Sequence, residues 1–157
     1  MIVASWGEIE KSEPEFASRV RRLFDSGRHK TIATLRADGT PRISGIESEF
    51  REGELRFASM SNARKLADLR RNPHFALHGP SFNPEEGKEG EWPGEAKISG
   101  RAVPVELASG DEEASGDAEA FTGDISEVVI TGLNADASKL VVVSWTPSYG
   151  LRRFERD

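Results

Sequence analysis

Two turn signals constrain the first half of this chain more than any other feature. Asp38-Gly39 sits within Ala37-Asp38-Gly39-Thr40, and Glu52-Gly53 within Arg51-Glu52-Gly53-Glu54. Glycine in such a setting supplies the positive-φ backbone of a tight hairpin, which joins only antiparallel neighbours. Residues 30–36, 42–50 and 55–59 are therefore predicted as three consecutive antiparallel strands. Leu55, Phe57 and Ser59 share one side of the third. Upstream, Phe16, Val20, Leu23 and Phe24 recur at helical spacing with Arg19, Arg21 and Arg22 between them, which predicts a helix over Pro14–Asp25 ended by Ser26-Gly27.

The second half is less regular. Residues 75–78 read as a short strand, and residues 80–95 as a long Gly/Pro/Glu-rich loop carrying Phe82 and Trp92. Loops of that length are usually functional or mobile. Glu95–Val105 is a strand candidate whose Pro104 places its end at an edge or a bulge. The Ala- and acid-rich stretch 108–121 is expected to be a surface helix interrupted near Gly116. Residues 127–133, 140–145 and 150–154 are further strands, and the apolar run 140–145 suits burial on both faces. Seven or so strands and few helices predict a mainly β (α+β) fold. It would be a closed or nearly closed antiparallel barrel with a few peripheral helices, and one domain over residues 1–157 with no dividing linker.

Charge and composition narrow the partners. The net charge is −6, and residues 61–73 hold Arg64, Lys65, Arg70 and Arg71 against Asp68, a local +3 that leaves −9 elsewhere. Nine acids and no Lys or Arg fall in residues 102–138. That field repels a nucleic-acid backbone but tolerates one small anion at the basic patch. The chain has no cysteine, which removes disulfides, thiolate catalysis and thiolate metal sites. Its first residues lack the basic start and long apolar run of a signal peptide, and no stretch is long enough to span a membrane. A cytoplasmic protein without membrane partners is the expectation.

The basic patch has an internal asymmetry. Ser61 reads as a helix N-cap and Asn72-Pro73 as the stop, so Arg64 and Lys65 occupy the first turn. Free N–H groups and the macrodipole already make that end positive, and cations there are unfavourable unless an anion joins them. Helix N-terminus, hydroxyls and two cations together describe a phosphate cradle. Arg70 and Arg71 lie in the last turn, where the dipole favours cations, and need no ligand.

Residues 32–35, Asp38-Gly39-Thr40-Pro41-Arg42 and residues 55–59 are followed by Ser61-Asn62-Ala63-Arg64-Lys65-Leu66 and residues 69–73. With the closing Val143-Ser144-Trp145-Thr146-Pro147, this order resembles the pyridoxamine 5′-phosphate oxidase-like, FMN-binding split-barrel proteins. The resemblance implies an antiparallel split β-barrel and a homodimer with two cofactor sites at the subunit interface, acting on a small-molecule substrate. It implies an oxidoreductase using FMN or, alternatively, the deazaflavin F420. A non-catalytic module that stores or senses a flavin, F420 or haem on the same barrel is the other expectation. Carried onto this chain, the family's phosphate-holding junction matches Ser59, Met60, Ser61, Arg64 and Lys65, and its ring-side strand matches Arg42, Ile43, Ser44 and Gly45. The family's Arg-x-His substrate signature is missing from the tail 151–157, so pyridoxamine phosphate does not carry over as the substrate.

Other groups carry less. Gly45 inside a strand permits either close approach of a flat ligand or a bulge. Arg42 either reaches the phosphate or is an exposed hairpin residue. Trp145 ends an apolar run and reads as core in preference to a stacking platform. Trp92 suits a lid, a dimer contact or a disordered loop. His74 and His78 fall on a strand with no third ligand nearby, no serine stands in a nucleophile-elbow context, and flavin chemistry requires no protein acid or base. No catalytic residue and no metal ligand is therefore assigned.

Overall fold

The computed structural model describes residues 1–107 and 117–157. Two helices open the chain, α1 (Trp6–Ser12) and α2 (Pro14–Asp25). α1 is an element the pattern reading missed, although its signal is local: Ser5 caps it, accepting from the Glu8 N–H, while the Glu8 carboxylate accepts from the Ser5 N–H. Seven residues carry too little periodicity to register without that cap. α2 starts at Pro14, buries Phe16, Ala17, Val20, Leu23 and Phe24, and ends where expected.

Eight strands follow. β1 (Lys30–Leu35), β2 (Pro41–Arg51) and β3 (Glu54–Met60) form the expected meander. Its two turns have Gly39 at φ 84°, and Glu52 and Gly53 at φ 52° and 76°. After α3 (Arg64–Arg71) come β4 (His74–His78), β5 (Glu95–Val105), β6 (Ala118–Leu133), β7 (Leu140–Thr146) and β8 (Gly150–Arg156). The strand order is β3-β2-β1-β4-β5-β6-β7-β8, and β3 also pairs with β6. That extra pairing closes six strands into an antiparallel barrel, leaving β7 and β8 as a flap on the second half of β6. The long β6 serves both sides. Its first residues pair with β3, from Met60↔Ala118 to Leu55↔Gly123, and its last with β7, from Val128↔Trp145 to Leu133↔Leu140.

Two expectations about the second half fail here. Residues 118–121 are strand and not helix, and the part of the expected helix at 108–116 lies outside the described residues. Phe121 points into the core beside Phe57, with ring centroids 6.0 Å apart, so long-range pairing with β3 overrides the helical propensity of the alanines. β7 is not buried on both faces: Val141 and Trp145 are buried, but Val142, Val143 and Ser144 are only half so. The other face of β7 has no covering layer among the described residues.

A bulge bends the β5–β6 ladder, where Ser99 pairs with Glu127 and Gly100 with Ile125, leaving Ser126 unpaired. A Cβ at Gly100 would lie 2.0 Å from the Asp124 carbonyl oxygen, so only glycine fits. Ile32, Leu55, Leu77, Ile98, Phe121 and Ile130 fill the barrel, and Trp6 stacks against Phe50 at 4.2 Å to seal the end under α1. No helix among the described residues is long and apolar enough to cross a membrane.

Candidate cofactor site

β3 leads into α3 across Ser61, Asn62 and Ala63, and this junction differs from the expectation in one respect. Ser61 is not the N-cap. Its N–H donates to the Asp117 carbonyl and its own carbonyl accepts from Arg70 at 2.8 Å, which ties it to the sheet end. The chain turns two residues later, and Ala63 occupies the cap position with no side-chain hydrogen bond to the first turn. Arg64 and Lys65 are still the first two helical residues, and the helix end above them is uncapped. Both cations therefore share the electropositive helix end with backbone N–H groups that no side chain caps.

Lys65 reaches down from α3 to β2, where its Nζ donates to the Gly45 carbonyl at 3.1 Å. The β1–β2 register runs unbroken through Thr31↔Gly45, which rules out a bulge at that glycine. A Cβ built at Gly45 would meet nothing within 4 Å. Ile43 beside it is 75% exposed. Strand alternation puts Ile43 and Gly45 on the open outer face, while Arg42 and Ser44 are half-buried on the other. From Ile43 an open groove of about 540 Å³ runs across the barrel past Ala33, Ala76, Lys97 and Ser99 to Glu127. Lys65 thus meets β2 at Gly45, two residues along the strand from Ile43, which lines the groove.

Arg42 does not lie exposed in the hairpin. Its Nε donates to Asp68 at 2.7 Å, and the same carboxylate accepts from Thr34 Oγ1 at 2.7 Å and from Arg71 at 3.1 Å. The Asp68 side chain is 2% exposed. Burial raises its pKa, but the hydrogen bonds from Arg42, Thr34 and Arg71 and the Arg42 charge outweigh that and hold the carboxyl below its ordinary value. This network pins α3 to β1 and β2 and so fixes where its first turn points. Sequence reasoning missed it. Asp68 looks like one acid among cations, and its partner Thr34 lies far away along the chain.

The remaining predicted residues divide. Ser59 is half-buried and shares a rung with Glu119, and Met60 is 52% exposed at the strand end. Glu119 is neutralised by Arg70 at 2.7 Å. Arg70 and Arg71 are thus both satisfied within the protein, as their place in the last turn implied. Among the described residues Arg64 and Lys65 face no carboxylate. Trp145 is core at 6% exposure. His78 lies on β4 with Nδ1 2.7 Å from the Gly79 carbonyl and Nε2 3.2 Å from Glu95, and His74 is exposed on the same strand.

A family model described as pyridoxamine 5′-phosphate oxidase matches residues 16–147, most of the chain and all of the barrel up to β7. The chain belongs to the pyridoxamine 5′-phosphate oxidase family. Solved structures similar to it include a pyridoxamine 5′-phosphate oxidase-related, FMN-binding protein from Nostoc punctiforme, at 12% identity and TM-score 0.62, covering 92% of this chain and 96% of that one. PhzG from Burkholderia lata, in complex with tetrahydrophenazine-1-carboxylic acid, is 14% identical at TM-score 0.60, covering 96% and 91%. An F420 reductase is 16% identical at TM-score 0.51, covering 71% and 93%. No curated protein matches the sequence. At these identities the solved structures establish the split-barrel fold, and a cofactor or substrate has to be argued from this chain's own residues.

Proposed function

We propose that this member of the family is a flavin- or deazaflavin-dependent oxidoreductase acting on a small molecule, with FMN as the first-choice cofactor and F420 the alternative. The observation that carries the reading is the Lys65–Gly45 contact. A helix-start cation with no acidic partner among the described residues is held over the open backbone of Gly45. A phosphate fits among the uncapped α3 amides, Arg64 and Lys65. A flat ring fits over Gly45, where no Cβ intervenes, with the exposed Ile43 side chain beside it. A bound flavin would supply the hydride chemistry. The chain's own part is to fix the phosphate by charge, to offer strand backbone beside the ring, and to hold α3 in place through Asp68.

The groove is open on its outer side, and Leu140, Leu151 and Phe154 leave apolar surface on the β7–β8 flap. Both features support a homodimer in which a second copy covers the groove and completes two cofactor sites. The protein is then a cytoplasmic enzyme with neither nucleic-acid nor membrane partners.

The test is a chromophore assay. The purified protein is titrated with FMN and with F420, beside Lys65→Ala, and each complex is mixed with NAD(P)H. Losing one charge-assisted hydrogen bond, worth about 1.5–3 kcal/mol, should weaken FMN binding roughly 10- to 150-fold. Equal affinity in wild type and Lys65→Ala refutes the cradle. Failure to bind either cofactor refutes the oxidoreductase reading, and binding without reduction or turnover leaves a storage or sensing module.

A further inference from the structure

The long loop between β4 and β5 builds a second concavity that owes nothing to the cofactor groove. It has a volume of about 630 Å³, and its walls include Phe82, Glu86, Glu89, Trp92 and, from the end of β6, Leu133. None of its lining comes from β2, β3 or α3. Phe82 is 57% exposed and Trp92 half-buried.

The backbone arranges two of these groups together. Glu89–Glu91 is a single 3₁₀ turn closed by the Trp92 N–H donating to the Glu89 carbonyl at 3.2 Å. Glu89 and Trp92, at the two ends of this turn, both line the concavity. The Gly87 N–H donates to the Glu89 carboxylate at 2.9 Å, and that bond keeps the carboxyl below its usual range. Glu85 is occupied by Lys88 at 3.3 Å, outside the cavity wall. Arg19 packs on Gly132 and lines no part of it. The wall thus carries two carboxylates and two aromatic rings with no cation among them.

We propose that this loop is a binding site for a small organic cation of the alkylammonium class. A small inorganic cation gains only from the carboxylates and keeps its water. A neutral apolar molecule gains only from Phe82, Trp92 and Leu133. An alkylammonium gains from both, because its methyl groups fill apolar space while its charge is stabilised by ring faces and by Glu86 and Glu89. The long acidic loop thereby acquires a role separate from the phosphate cradle.

The probe is choline, with the uncharged isostere 3,3-dimethylbutan-1-ol as its partner, measured by saturation-transfer NMR on the full chain. Choline should bind saturably and at least about tenfold more tightly than the isostere. Trp92→Leu and Glu89→Gln should each weaken it several-fold while far-UV circular dichroism and FMN affinity stay unchanged. Equal binding of choline and the isostere overturns the proposal, as does unchanged choline affinity in Trp92→Leu. Trimethylammonium signals that fade with salt in step with sodium competition, in wild type and Trp92→Leu alike, reduce the loop to a diffuse acidic patch and overturn it too.

Discussion

Replacing Asp68 with alanine removes the carboxylate to which Thr34, Arg42 and Arg71 all donate. The loss is larger than that of a surface ion pair because the groups left behind stay out of water. The Arg42 side chain is 19% exposed, and Thr34 is buried at 2%. Breaking a buried charge pair from one side costs about 3–5 kcal/mol, and the partial exposure of Arg42 places this case near 3 kcal/mol. For a chain of this size that corresponds to a fall in Tm of about 6–12 °C. Urea unfolding followed by far-UV circular dichroism measures it, with the m-value expected to stay constant. Arg71→Ala is the internal control. Its side chain is 40% exposed, so removing it should cost under about 1 kcal/mol. The pH dependence has a defined sign. The folded-state pKa of Asp68 lies below its unfolded value of about 3.9, so its contribution is complete above that pH and is lost as pH falls through the folded pKa. Asp68→Asn should therefore lose its stability deficit relative to wild type on acidification below about pH 4. A cost below about 1 kcal/mol for Asp68→Ala, or a deficit independent of pH, would show that the network does not anchor α3.

Two glycines give opposite outcomes. Gly100→Ala places a Cβ against the Asp124 backbone at 2.0 Å, which cannot yield as a side chain would. A loss of about 3 kcal/mol or more, or failure to accumulate folded protein, is expected in urea unfolding and expression assays. Gly45→Ala meets open space. Its stability should stay within about 1 kcal/mol of wild type, or rise, while FMN affinity measured by fluorescence quenching falls as the methyl intrudes on the ring-side strand.

Much of the fold was legible because its signals are local. The Asp38-Gly39 and Glu52-Gly53 turns set the first meander, and Pro14 and Asn72-Pro73 bounded two helices at the observed residues. The cations at the start of α3 could be singled out because a helix dipole is fixed by sequence direction alone. Two of the differences share one cause, contact with residues distant in sequence. Propensity alone predicts a helix at residues 118–121, yet they pair with β3, which precedes them by more than fifty residues. Ser61 looked like a cap but is held by Asp117 and Arg70, neither of which its neighbourhood predicts.

A β-meander, a helix carrying two cations at its electropositive end, and a glycine in the neighbouring strand can all be read from local sequence. Each follows from interactions within a few residues: turn dihedrals, helix capping and the alignment of peptide dipoles. Contacts between distant segments settled that β6 closes the barrel, that Asp68 holds Arg42, and that Lys65 lands on Gly45. Those outcomes depend on strand registers and on the burial of charge between distant segments. Their energies arise from desolvation and close contact, which exist only once the chain has folded.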